Sequence, residues 1–172
     1  MVLCRRNLYG VKRKQTTRRP MKKATHQPAT KLDQIRARLR SSTPILPIGV
    51  HLGFRVTAVR KGRVTIELDV RPHHANAIGT LHGGVLCDIA DASMALSHAT
   101  NIAAEETFTT LELKINFLKP VWEGKLRAEG RVIKQGRTIG LTECDVFDEQ
   151  GSLVAHATST CMTLRGNEAK GR

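Results

Sequence analysis

Apolar and polar residues alternate between Gly53 and Val70. Phe54, Val56 and Ala58 alternate with Arg55 and Thr57, Gly62 marks a turn, and Val64, Ile66, Leu68 and Val70 alternate with Thr65, Glu67 and Asp69. Successive strand side chains point to opposite faces, so this period of two predicts a half-buried hairpin. A loop follows over Arg71 to Leu81, and the pattern then changes. From Gly83 to about Ala99, Val85, Leu86, Ile89, Ala90, Met94 and Leu96 are apolar on more than one helical face, and Ala92, Ala95 and Ala99 are strong helix formers. A helix that is apolar nearly all round is a buried one, so its two acids, Asp88 and Asp91, need a reason to be there. Beyond it, Thr109 to Leu118 alternates (Leu111, Leu113, Ile115, Phe117) and stops at Pro120. Leu126 to Ile133, Ile139 to Phe147 and Leu153 to Leu164 follow, with turn signals at Gly124, Gln135-Gly136 and Glu149-Gln150-Gly151.

The predicted order is β-β-α-β-β-β-β, with the last four strands read as a meander. The simplest way to bury one long apolar helix with these strands is an α+β arrangement, an antiparallel sheet wrapped around a single central helix. That is the hotdog architecture.

Charge changes the picture only at the N-terminus. The chain carries +13 overall, which on its own suggests a nucleic-acid partner. Met1 to Arg40 hold thirteen Lys or Arg against one acid, Asp33, for +12; residues 41–172 hold fifteen basic against fourteen acidic, for +1. The basic character belongs to an arm, and the remainder is a nearly neutral domain. Three domains of behaviour are expected: a disordered basic arm over 1–40, a folded domain over 41–166 and a tail over 167–172. Within the arm, Leu32 to Leu39 can form a short helix leading into the domain. Three readings of the arm stand open: coding sequence upstream of a start at Met21, an Arg-rich mitochondrial transit peptide, or a contact with nucleic acid or another anionic surface. Cys4, Cys87, Cys144 and Cys161 form no C-x-x-C pair, and the last three sit in apolar stretches, where free cysteine behaves as a small hydrophobe. This suits a reducing, cytoplasmic setting, with mitochondrial placement as the alternative. No stretch approaches the ~18 uncharged apolar residues of a membrane helix. His73 and His74 resemble a metal pair, but neighbours on an extended segment point apart, so they are read as structural and no metal is expected. His98 and His156 have no evident partner.

The chemistry gathers around Asn76 to Gly84, N-A-I-G-T-L-H-G-G, followed by V-L-C-D-I-A-D-A-S-M-A-L. Gly83 and Gly84 at a helix N-terminus offer sterically open N–H groups and the positive end of the dipole, which suit an oxyanion developing on a carbonyl. His82 can donate to the same oxygen or orient the loop, and Asn76 can position a water or hold the loop. Asp91 lies where a carboxylate is costly unless paired or useful. Gly83 and Asp91 are eight residues, or ~12 Å, apart along a helix. They cannot reach one carbonyl within a subunit, whereas two helices packed antiparallel across a two-fold axis bring Asp91 of one subunit to Gly83 of the other.

This string, the Lys119-Pro120 strand end and the Lys134-Gln135-Gly136-Arg137 turn resemble the PaaI-like hotdog-fold acyl-CoA thioesterases over about residues 45 to 165. The resemblance implies hydrolysis of an acyl-coenzyme A thioester, without a metal or redox cofactor, by a homodimer or a dimer of dimers (a homotetramer). It implies that Asp91 is the catalytic acid group, as general base or nucleophile, and that His82 and Gly83 polarise the carbonyl. Asn76 and Gly84 would sit beside the substrate, and Thr110 would hold the attacking water. Asp88 departs from the family pattern, one turn before Asp91, and can raise its neighbour's pKa if both are buried. Lys114, Lys119 and Arg137 are candidates to meet the coenzyme A phosphates. Two other functions compete: hydration or dehydration of acyl thioesters, whose H-F-P…P-G-V and helix-Glu pattern is missing, and a non-catalytic acyl-CoA-binding regulator. The regulator would need a folded helix-turn-helix in Met1 to Arg40, which shows none, so no nucleic-acid partner is expected.

Overall fold

The computed structural model describes residues 30–41 and 43–170; most of the basic arm, with Cys4 and the Met21 start, lies outside the described residues. The elements are α1 (Lys31–Leu39), α2 (Pro47–Leu52), β1 (Phe54–Arg60), β2 (Arg63–Val70), α3 (Gly83–Ala99), β3 (Thr107–Phe117), β4 (Gly124–Gln135), β5 (Ile139–Phe147) and β6 (Leu153–Leu164), with single 3-10 turns at Pro72–His74 and Gly166–Ala169. Six antiparallel strands in the order β1-β2-β4-β5-β6-β3 curl around α3.

The central helix is seated deeply. Ile89 and Met94 are fully buried against Ile66 and Leu68 of β2, Leu126 of β4 and Val146 of β5. At the closest approach Gly130 of β4 lies so near α3 that a Cβ would stand 2.5 Å from the carbonyl carbon of Ser93. Ser97 exploits that closeness: its hydroxyl donates to the Gly130 carbonyl (3.0 Å) and to the Ser93 carbonyl (2.7 Å).

Four sequence expectations need correction. The last four strands are not a meander: β4, β5 and β6 are, but β3 pairs with β6 at the far edge, and β2 pairs with β4. The alternation in β1 breaks at a bulge between Val56 and Ala58, so Ala58 is exposed and Val59 turns towards the core. A second bulge in β3, between Thr110 and Glu112, leaves Leu111 half exposed, and Phe117 at the strand end is exposed as well. Finally, residues 31–40, placed within the disordered arm, are folded, and the short helix expected over Leu32 to Leu39 is there as α1. Thr30 and Asp33 form a capping box on α1, Ile35 is buried, and the Lys31 ammonium donates to the Ala104 carbonyl at 3.0 Å. A single apolar residue and a reciprocal cap dock this helix despite its basic composition. The helix α2 was not expected; Pro47 in its first turn supplies the helical φ in advance.

Candidate active site

Two groups of polar residues flank the first half of α3. At its head, the chain from Arg71 to His82 is held by its own side chains. The Asn76 carboxamide oxygen accepts from the N–H groups of Ile78 (3.0 Å) and Thr80 (3.2 Å), and its nitrogen donates to the Thr80 hydroxyl at 2.9 Å. Asn76 therefore fixes the loop. The Leu81 N–H donates to the Val121 carbonyl (2.7 Å) and the His82 N–H to the His74 carbonyl (2.8 Å), setting the angle at which the chain enters the helix. His74 is buried, and its Nδ1 accepts from the Arg71 N–H at 3.0 Å. Burial holds the His74 imidazole below its usual pKa. His73 and His74 do not point apart, since both sit on a 3-10 turn and their rings meet edge to face at 4.1 Å.

His82 is the N-cap of α3: its Nδ1 accepts from the Gly84 N–H at 2.8 Å. That bond occupies the Gly84 N–H, and a neutral His82 ring then carries its proton on Nε2. The Gly83 N–H meets no acceptor among the described residues. It is one of the orphan donors of a helix start, at the positive end of the dipole. A Cβ at position 83 would meet the tip of the exposed Phe117 ring at 2.9 Å. Gly83 and Phe117 form part of the wall of a 390 Å³ cavity that also reaches Asn76, Leu86, Leu118 and Lys119. Lys119 is paired there with Asp148 and also donates to Ser152.

Two turns further on, Asp91 is partly buried on α3, and its Oδ1 accepts from the Thr110 hydroxyl of β3 at 3.1 Å. Burial raises the Asp91 pKa above its ordinary value, and the Thr110 bond, which favours the carboxylate, offsets part of the rise. Asp88 is exposed, and its pKa too is raised, first by burial and then by the charge of Asp91. Gly84, Cys87, Asp88, Asp91 and Ala95 form a stripe of exposed or half-exposed residues on an otherwise buried helix. The structure thus brings His82, Gly83 and Asn76 together at the helix head, and Asp91 and Thr110 together at its middle. The two groups lie ~12 Å apart along one helix.

Sequence reasoning missed two neighbours of these groups. Phe117 was read as a core residue of an alternating strand, although its place at the strand end and before Pro120 was a signal. Cys161 pairs in register with Thr110 and is fully buried there, with its thiol pushed up by burial. Nothing in its spacing marked it. The two unassigned histidines have partners: His98 Nε2 lies 3.0 Å from the Thr163 hydroxyl, and His156 Nδ1 lies 2.7 Å from Asp145.

Residues 78–155 match the thioesterase superfamily. A Saccharolobus solfataricus protein provisionally described as an esterase is 34% identical over 115 residues, covering 66% of this chain and 81% of its own length. Human acyl-coenzyme A thioesterase 13 is 32% identical over 103 residues, covering 58% of this chain and 71% of its own. Among solved structures, a phenylacetic acid degradation-related protein of Ralstonia eutropha superposes with a TM-score of 0.68 at 29% identity, covering 73% of this chain and 97% of that one. Among the described residues, no helix is long and apolar enough to cross a membrane. By motif, fold and sequence the chain belongs to the thioesterase superfamily, among its PaaI-like hotdog-fold members.

Proposed function

We propose that the protein hydrolyses an acyl-coenzyme A thioester to the free acid and coenzyme A, in active sites shared between two copies of the chain. Asp91 is the general base, and the Gly83 N–H of the second copy polarises the thioester carbonyl. The observation that carries this reading is the combination on one helix of an unpartnered N–H at its start and a half-buried carboxylate two turns on. The human relative, by its name, acts on acyl-coenzyme A.

The chemistry follows from those two groups. Thr110 fixes Oδ1 of Asp91 and leaves Oδ2 without a protein donor among the described residues. A water held by Oδ2 loses a proton to the carboxylate as its oxygen attacks the carbonyl carbon. The negative charge that develops on the carbonyl oxygen is met by the Gly83 N–H and the helix dipole, and collapse of the tetrahedral species expels the thiolate. A raised pKa makes the carboxylate a stronger base than a solvated aspartate. His82 orients the start of the helix through its cap on the Gly84 N–H, and Asn76 holds the loop behind it.

Two copies are needed because Gly83 and Asp91 of one helix are too far apart to meet one carbonyl. The surface for the second copy is the edge strand β3, with Leu111 and Phe117 exposed and Leu118 exposed just beyond its end, next to the open stripe of α3. An unpaired strand edge with exposed apolar residues invites another strand, and an antiparallel two-fold contact there aligns each Asp91 with the other copy's Gly83.

The test is thiol release from a panel of short, medium, long and aryl acyl-CoAs by wild type and Asp91→Asn. The expected result is turnover by the wild type and a loss of about 10²-fold or more in the variant, the scale of a lost general base. Full activity in Asp91→Asn would overturn the assignment and move the base to Asp88; a folded wild type without turnover on any thioester would overturn the hydrolase reading.

A further inference from the structure

His74 lies in the loop between the end of β2 and the head of α3, and it is only 2% exposed. A buried histidine is ordinarily a core residue that fills space with its polar atoms satisfied. The bonds of His74 lead towards the candidate site. Arg71, the first residue after β2, is joined to it twice. The Arg71 N–H donates to the His74 Nδ1 at 3.0 Å, and the Arg71 carbonyl accepts from the His74 N–H at 2.9 Å. The His74 carbonyl then accepts from the His82 N–H at 2.8 Å, beside an antiparallel bridge between Ala75 and Leu81. His82 in turn caps α3 through the Gly84 N–H. A chain of hydrogen bonds thus runs from the end of a core strand, through the ring and backbone of His74, to the start of the helix.

The ring serves in this chain only when it is neutral. Its Nδ1 accepts, so its proton sits on Nε2, and a doubly protonated ring would set a second donor against the Arg71 N–H. Burial holds the imidazole below its ordinary pKa, and the charge of His73, whose ring meets it edge to face at 4.1 Å, acts in the same sense. An aliphatic side chain fills the same space but offers the Arg71 N–H no acceptor.

We propose that His74 is a positioning residue for the carbonyl-polarising end of the site: through Arg71 on one side and His82 on the other, it fixes the direction of the Gly83 N–H. The proposal rests on the hydrolase reading for the use made of that N–H. A donor that meets charge only in the transition state acts on kcat and leaves KM unchanged.

The experiment compares wild type with His74→Leu, His74→Gln and His74→Asn. Asparagine Oδ1, like histidine Nδ1, is bonded to Cγ, so His74→Asn keeps an acceptor in place. Glutamine carries its amide one bond further out, and His74→Gln tests the same loss if the leucine variant fails to fold. Two quantities are read: kcat and KM on the acyl-CoA that the wild type turns over fastest, and amide hydrogen exchange at Gly84, whose N–H the His82 cap protects. The expected result is a kcat about ten-fold or more lower in His74→Leu and His74→Gln with KM within about two-fold of wild type, the pattern of a misdirected transition-state donor. Exchange at Gly84 is expected to be faster in the same two variants, and His74→Asn is expected to restore both quantities. Unchanged kcat, unchanged exchange at Gly84, or a His74→Asn as impaired as His74→Leu would each overturn the proposal. The two readings fail separately. A wild type that hydrolyses no thioester overturns the hydrolase reading, and exchange at Gly84 then decides alone whether His74 positions the helix head. Turnover by the wild type with full kcat in His74→Leu overturns the positioning role alone.

Discussion

At the scale of single residues, the candidate site is a set of groups whose bonds within the chain constrain what each can do. The Asp91 carboxyl is pushed up by burial and pulled down by the Thr110 hydroxyl. Removing that hydroxyl removes the lowering contribution, so Thr110→Val moves the acid limb of the kcat/KM–pH profile to higher pH, and Thr110→Ser restores it. A profile unchanged in Thr110→Val would contradict the role given to this bond. The same shift has a consequence for stability. A carboxyl whose folded pKa lies above its unfolded value makes the fold bind protons more readily, so stability is highest below that window and declines as pH rises through it. Once ionised, Asp91 costs stability, and Asp91→Asn, the variant expected to lose activity, is expected to raise Tm at pH 7. A lower Tm at pH 7 would show that the carboxylate is a structural partner. The placement of Asp91 on the central helix, and of His82 and Gly83 at its head, was legible in the sequence, because an acid on an apolar helix and paired glycines at its start break local rules. The division of labour between Gly83 and Gly84 was not legible. It depends on which N–H the His82 ring accepts, and only the fold shows that.

At the scale of elements, the helix and most strand boundaries followed from periodicity, and the misread side-chain facings of β1 and β3 fall at bulges. A bulge inserts one residue and turns the rest of the strand over, and a pattern of alternating side chains does not reveal where the backbone does this. In β3 the bulge lies directly after Thr110 and exposes Leu111 at the edge. The same element thus aims a hydroxyl at Asp91 and presents an apolar residue for a second copy. The close seat of α3 on β4 makes a sharper prediction. At Gly130 an added Cβ would meet Ser93 backbone atoms at 2.5 Å, and backbone cannot swing aside. Gly130→Ala is expected to lose about 3 kcal/mol in denaturant unfolding, as overpacking does; a change near zero would mean the helix can lift from the sheet.

At the scale of the whole molecule, the sheet wrapped around one helix was readable from element order, and the strand order was not. A helix and loop between β2 and β3 can carry β3 to either edge, and local sequence does not choose between them. The outcome matters for function, because β3 carries Thr110 and Phe117 to an edge that a second copy can cover. Co-assembly of two inactive variants tests this arrangement most directly. Asp91→Asn removes the proposed base, and Gly83→Pro removes the N–H. Proline is tolerated at the first helical position, and His82, with ψ of 132°, already has the extended conformation that precedes proline. The ring tip of Phe117 has to give way, and Gly83→Ala, which also carries a Cβ but keeps the N–H, controls for that contact. In a mixed dimer one site holds both substituted residues and the other holds neither. Each variant alone is expected to be nearly inactive on acyl-CoA, and the unfolded, mixed and refolded pair is expected to recover about one quarter of wild-type activity, the share of intact sites under random assortment. A mixture that co-assembles and stays as inactive as its components would contradict a site shared between Asp91 of one copy and Gly83 of the other.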